Sequence, residues 1–163
     1  MNKVFFLVIA IAWCMPFGLF AQHRIESPHP DLSVKISRCV EASGTVVVDM
    51  VMTNLGKDDI IRFGFTPLMG PFEAYDDEGN VYKTTNTKIS FGLVSLGLSD
   101  DGFVDITFPQ DIALKVRLQV EKVDKNASKF SLIKMPVSSV SSNRPLALSD
   151  KLIQIRNLEF ERQ

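Results

Sequence analysis

The stretch "DIALKVRLQVEKV", residues 111–123, constrains this chain more than any other. Ile112, Leu114, Val116, Leu118 and Val120 alternate with Ala113, Lys115, Arg117, Gln119 and Glu121. Successive side chains of a strand point to opposite faces, so the run predicts a strand with one dry and one wet side. A helix would carry Lys115 or Arg117 onto the apolar side. The same period of two recurs in "GTVVVDMVMTN", where Val46, Val48, Met50 and Met52 form an apolar face. Opposite them, Val47 and Val51 alternate with Asp49 and Thr53. Val104, Ile106 and Phe108 alternate as well, and Tyr82, Ile89, Phe91, Phe130 and Leu132 belong to shorter segments. In "KLIQIRNLEF" the parity switches from Ile153 and Ile155 to Leu158 and Phe160, which predicts a bulge at Asn157. The pattern predicts an all-β chain of about eight or nine strands, folded as an antiparallel β-sandwich. One-sided polarity argues against a parallel sheet, whose strands are apolar on both faces.

The opening "MNKVFFLVIAIAWCMPFGLFAQ" reads as a secretory signal peptide over 1–21, with cleavage between Ala21 and Gln22. Lys3 gives the positive start, and Pro16 and Gly18 break the apolar run before the cleavage site. Two alternatives stay open. The 18 residues from Val4 to Ala21 reach the lower limit of a membrane span, so an uncleaved leader would anchor the chain. Cys14 permits a lipid anchor, although Trp13 before it is bulky for such processing. Removing 21 of the 163 residues leaves 142, and losing Lys3 leaves 17 basic against 19 acidic groups, a net charge of −2. That balance supplies no long-range attraction for nucleic acid or an anionic membrane. Membrane contact is therefore expected only through an uncleaved leader.

Residues 22–31, "QHRIESPHPD", read as a flexible tether, and 32–163 as one domain. Within it "VSSVSSNRPLALSDK", residues 137–151, reads as a serine-rich crossing loop before the final strand. Cys39 is the one cysteine left after cleavage, so it has no internal disulfide partner. It reads as a small buried hydrophobe, although it falls off the register set by Leu32, Val34 and Ile36.

"AYDDEGNVYK", residues 74–83, gathers Asp76, Asp77 and Glu78 before Gly79. Aligned as an EF-hand on that glycine, the loop would need carboxylates at Ala74 and Thr85, so it fails as a calcium loop. As a hairpin it fits, with Asp76 opening a type I turn, Gly79 closing it, and Tyr75 facing Val81. "EASG" (residues 41–44) and "SDDG" (residues 99–102) repeat the design, and no metal site is assigned.

Catalytic residues are expected to be none. His23 and His29 both fall in the tether, and no HExxH, paired cysteine, phosphate loop or GxSxG occurs. No cofactor is expected. Without Trp in the mature chain, and with only Tyr75 and Tyr82, stacking platforms for sugars or single-stranded nucleic acid are scarce. The loop "FGFTPLMGPFEAY", residues 63–75, is unusually apolar. Leu68, Met69 and Phe72 there are candidate contacts for a protein partner; the alternative is that the loop plugs one end of the sandwich.

The order of corners adds a resemblance. Thr53, Asn54 and Gly56, followed by Asp76, Asp77, Gly79, Asn80 and Tyr82, resemble the immunoglobulin-like domains of unknown function found in exported bacterial proteins. The likeness spans roughly residues 32–160 and rests on turn and core features. It implies an immunoglobulin-like sandwich outside the cytoplasm, in the periplasm, at the cell surface or secreted, with no catalytic residues to carry over. The "FAQ" exit is similar to that of exported proteins of Gram-negative bacteria. The resulting expectation is a non-catalytic binding or scaffolding module. The alternatives are a small hydrolase using strand-borne carboxylates, or an assembly protein pairing through an open strand edge.

Overall fold

The computed structural model describes residues 23–64, 70–92, 94–97, 103–139 and 152–163, and they make an all-β protein. The strands are β1 (Arg24–Glu26), β2 (Leu32–Ala42), β3 (Thr45–Asn54), β4 (Asp59–Gly64), β5 (Glu73–Asp76), β6 (Val81–Lys83), β7 (Thr87–Phe91), β8 (Val94–Gly97), β9 (Phe103–Phe108), β10 (Ala113–Glu121), β11 (Lys129–Ser139), β12 (Leu152–Glu159) and β13 (Glu161–Arg162). The count among the described residues exceeds the expected eight or nine because corners divide the longer runs and short pieces join the sheet edges.

Two sheets form. The first runs β1-β12-β11-β4-β9, with β5 also on β11 and β6 on β5; the second runs β13-β2-β3-β10-β7-β8. Every neighbour is antiparallel except β13, which lies parallel to β2. The alternation read from the sequence sets the core. Val46, Val48, Met50 and Met52 are at most 1 % exposed, and Val116, Leu118 and Val120 at most 2 %. Side chains of both sheets share one apolar cluster. Phe63 of β4 and Phe91 of β7 join the layers, with ring centroids 4.7 Å apart. Each such buried aromatic or aliphatic side chain contributes about 1.5–3 kcal/mol.

Turns behave as their residues require. The β2–β3 hairpin closes through Ser43 and Gly44 at φ 53° and 77°, the doubly left-handed geometry of a two-residue turn whose twist matches its strands. In the β5–β6 hairpin Tyr75 faces Val81, and Gly79 takes φ 87°.

Bulges explain the parity changes. In β2 the register slips between Ile36 and Arg38, so Ile36 faces Met50 but Cys39 faces Val48. The extra residue turns Cys39 inward against the core, which accounts for its departure from the Leu32–Val34–Ile36 face. The switch at Asn157 also occurs: Asn157 has φ 53°, and Leu158 and Phe160 are buried. Its partner β11 changes parity at the same level, from Phe130 to Ile133. Their mutual register therefore stays unbroken, and the irregularity appears between β11 and β5. Beyond it, β11 passes from β5 to β4 at Pro136, where a missing N–H falls between two partners.

Three expectations need correction. Residues 24–26 are not a free tether but strand β1 on β12, with Ile25 packed against the core opposite Ile155. Ile112 is 57 % exposed, because the strand begins after it and Asp111 turns the chain at φ 58°. The serine-rich segment expected as a loop from Val137 starts instead as the end of β11, paired with β4 through Ser139.

Candidate binding face

The acidic corner is built into the fold. Asp76 is 4 % exposed. Its Oδ1 accepts the amides of Glu78 and Asn80 at 3.0 and 2.8 Å, and its Oδ2 accepts Asn80 Nδ2 and the Tyr82 hydroxyl at 2.9 and 2.7 Å. Burial pushes this carboxyl up, but hydrogen bonds from Asn80, Tyr82 and Glu78 together outweigh it and hold it below the ordinary range. Asp77 turns outward to the loop before β11, accepting Ser128 N at 2.9 Å and Ser128 Oγ at 2.6 Å. Burial again pushes upward there, and the Ser128 and Lys129 bonds prevail, lowering its pKa. The Tyr82 oxygen accepts Asp124 N at 2.9 Å, and burial pushes its pKa up to about 12.

Strand β13 closes the same end. Arg162 donates to Glu41 Oε2 at 2.9 Å and to the carbonyls of Asp124 and Ala127. Glu41, 7 % exposed, also accepts Gly44 N at 2.7 Å. The Thr-Asn-x-Gly corner is equally structural. Asn54 Nδ2 donates to the Lys57 and Phe108 carbonyls at 2.7 and 2.9 Å, and its Oδ1 accepts Gly56 N at 2.9 Å. These acidic and amide corners therefore hold strands together rather than offering free ligands. Among the described residues, no three His, Cys, Asp or Glu side chains gather in a group able to hold a metal ion.

The outer face of the second sheet differs. Strand pairing stacks β2, β3 and β10 so that their outward residues form rows. Lys35 and Lys115 both sit opposite Val51; Arg38 and Arg117 both sit opposite Asp49. Arg117 forks onto Asp49, Nε to Oδ1 at 2.6 Å and Nη2 to Oδ2 at 3.2 Å, and that carboxylate holds its pKa above the ordinary value. Farther along, Lys88 pairs with Glu121. Lys35, Arg38 and Lys115 are exposed and have no ion-pair partner among the described residues. An open depression of about 470 Å³ lies on this face, lined by Ser37, Asp49, Val51, Ser90, Lys115 and Arg117 among others. Ser37 and Ser90 bond the carbonyls of Asp49 and Arg117 at 3.0 and 3.5 Å. Beneath the face, Cys39 has its pKa pushed up to about 12 by burial, with a smaller push from the Asp49 charge. That keeps it a thiol at neutral pH.

The other sequence candidates fall elsewhere. Phe72 is 1 % exposed and belongs to the core, so it is not an exposed partner contact. Leu68 and Met69, Ala21 and Gln22, and the "SDDG" corner lie outside the described residues. His29 is held in a turn, its Nδ1 accepting Asp31 N at 3.1 Å, while His23 is exposed. Sequence reasoning missed the cationic face because it treated Lys115 and Arg117 as an ordinary wet side and never set Lys35 and Arg38 beside them.

No protein family matches the sequence, and no curated protein matches it. Among solved structures the chain is similar to the N-terminal domain of PorA, at 11 % identity, covering 87 % of this chain and 98 % of that one, with a TM-score of 0.36. A likeness of that degree carries no argument about function.

Proposed function

We propose that this protein is an exported, non-catalytic binding module, an immunoglobulin-like sandwich whose ligand surface is the outer face of the second sheet. The observation that carries this reading is the surplus of positive charge there. Among the described residues, Lys35, Arg38 and Lys115 remain after Arg117 and Lys88 have taken Asp49 and Glu121. A rigid pleated face presents such groups at fixed spacing, so little ordering is required on binding.

The carboxylates support the non-catalytic reading. Tyr75's hydrogen bond lowers Glu73, Arg62's lowers Asp105 and Lys88's lowers Glu121, and Asp76 and Asp77 are also lowered. A general acid for hydrolysis needs the opposite, a carboxyl raised toward neutral pH. Screening with generic glycosidase and esterase substrates tests this. Turnover that disappears in Glu73→Gln or Asp105→Asn would establish the hydrolase and remove the module.

The assembly reading has one observation in its favour. Strand β13 pairs with β2 only at Val40 and Glu41, leaving the rest of that edge open among the described residues. The bulge between Ile36 and Arg38 interrupts the same edge, as bulges do where sheets resist adding strands. Export itself is tested by the mass of the protein recovered outside the cytoplasm, expected to start at Gln22.

A further inference from the structure

We propose that the outer face of the second sheet binds an extended acidic peptide segment of a partner protein, with carboxylates at every second residue. This rests on the binding-module reading above and names its ligand class. On a strand, residues two apart are separated by about 6.8 Å, and neighbouring strands by about 4.8 Å. Lys35 and Lys115 therefore flank Val51 about 10 Å apart, and Arg38 and Arg117 flank Asp49 one step along, about 7 Å away. A peptide laid along β3 above Val51 has its own alternate side chains at the same period. One acidic side chain falls between the two lysines, and the next falls between the two arginines.

Charge follows the same order. The lysine row carries two positive charges. The arginine row carries one net positive charge, because Asp49 is neutralised by the Arg117 fork. A carboxylate arriving at the second row is thus received by Arg38 and by the unused donors of Arg117. The hydroxyls of Ser37 and Ser90 border the depression and offer polar partners to its backbone. Asp49 also sets a limit: an acidic group pressed onto it without its arginine would be repelled. The face offers the other anionic polymers charge but no stacking. Bases and sugar rings bind on aromatic platforms, and the outward side chains described on β2, β3 and β10 include none. What remains is a surface of point charges at pleat spacing, which suits carboxylates on an extended chain.

The test uses protein purified after export and two fluorescent peptides of equal length and charge. In one, Glu alternates with Ser; in the other, the same Glu residues form a block. Anisotropy should show saturable binding, at least about fivefold tighter for the alternating peptide, and weakening as salt rises toward about 0.15 M. Lys35→Glu with Lys115→Glu should weaken that binding at least about tenfold, while Lys83→Glu on the other sheet leaves it within about twofold. Thermal melting checks that the double variant is folded, and Lys35→Gln with Lys115→Gln serves as a milder version. Equal affinity for the two peptides, no saturable binding, or binding indifferent to the lysines would overturn the proposal. A heparin fragment and vesicles rich in anionic lipid are parallel arms. Tighter, lysine-dependent binding of either one assigns the face to that ligand and overturns the peptide, yet leaves the module reading standing. The module reading itself falls only to the turnover screen.

Discussion

The acidic corner around Asp76 and the cationic face around Arg117 spend their charge in opposite ways. At the corner, both carboxylate oxygens of Asp76 are taken by four donors, and Asp77 is taken by the next loop. On the face, Lys35, Arg38 and Lys115 stand exposed without a carboxylate partner among the described residues. Local charge density in a sequence therefore says little about availability. A carboxylate beside a turn has backbone amides within reach and is captured by them. A lysine on the wet side of a strand is captured only if the neighbouring strand supplies an acid at the same level.

That contrast can be broken experimentally, beginning with the core under the cationic face. Cys39, with its pKa pushed up to about 12, should react with a thiol reagent at pH 8 roughly a thousandfold slower in the folded protein than in denaturant. Rapid labelling would mean that the sheet beneath the lysines opens, and the fixed spacing would be lost. Next in size, Asp76→Ala should cost about 2–3 kcal/mol in chemical denaturation, because it strands the Tyr82 hydroxyl and the turn amides. A cost near zero would make the corner a free acidic site after all.

The corner should also respond to pH at both extremes. Asp76 and Asp77 have lowered folded pKa values, so their contribution is present above the unfolded value of about 3.9 and lost as pH falls through the folded one. Tyr82 has a raised folded pKa, so its contribution is full below about 10 and lost as pH rises toward about 12. Melting temperatures should decline in both windows, and Tyr82→Phe should flatten the alkaline one. Arg162→Ala should cost about 1 kcal/mol, since its side chain is 40 % exposed and part of its pairing with Glu41 is screened by solvent. Smallest of all, Lys35→Ala and Lys115→Ala should change stability by no more than about 0.5 kcal/mol. A larger loss would mean that the face is bound up in folding, as the corner is.

Much of the fold was legible. The alternation in β3 and β10 named the buried faces, and the parity switch at Asn157 marked a bulge that is present. Cys39 carried the same kind of signal. Its departure from the Leu32–Val34–Ile36 face was the mark of a bulge. Ile112 misled because periodicity continues into a turn that Asp111 has already begun. For the site, Lys115 and Arg117 were visible as wet residues. Their neighbours Lys35 and Arg38 come from a strand some eighty residues earlier, and no local pattern announces that meeting.

By itself, then, the sequence determined which residues hide and which face water along each unbroken strand, because side-chain direction alternates there until a bulge resets it. It also determined the tight corners, since a left-handed Gly44 or Gly79 is a local property of the backbone. Only the tertiary structure decided which strands became neighbours, and so which charges met. Asp49 is quenched by Arg117 because β10 lies beside β3, and the lysines on either side of Val51 are left over for the same reason. Hydrophobic burial drives that arrangement from the other side of the sheet, without reference to the charges it brings together outside.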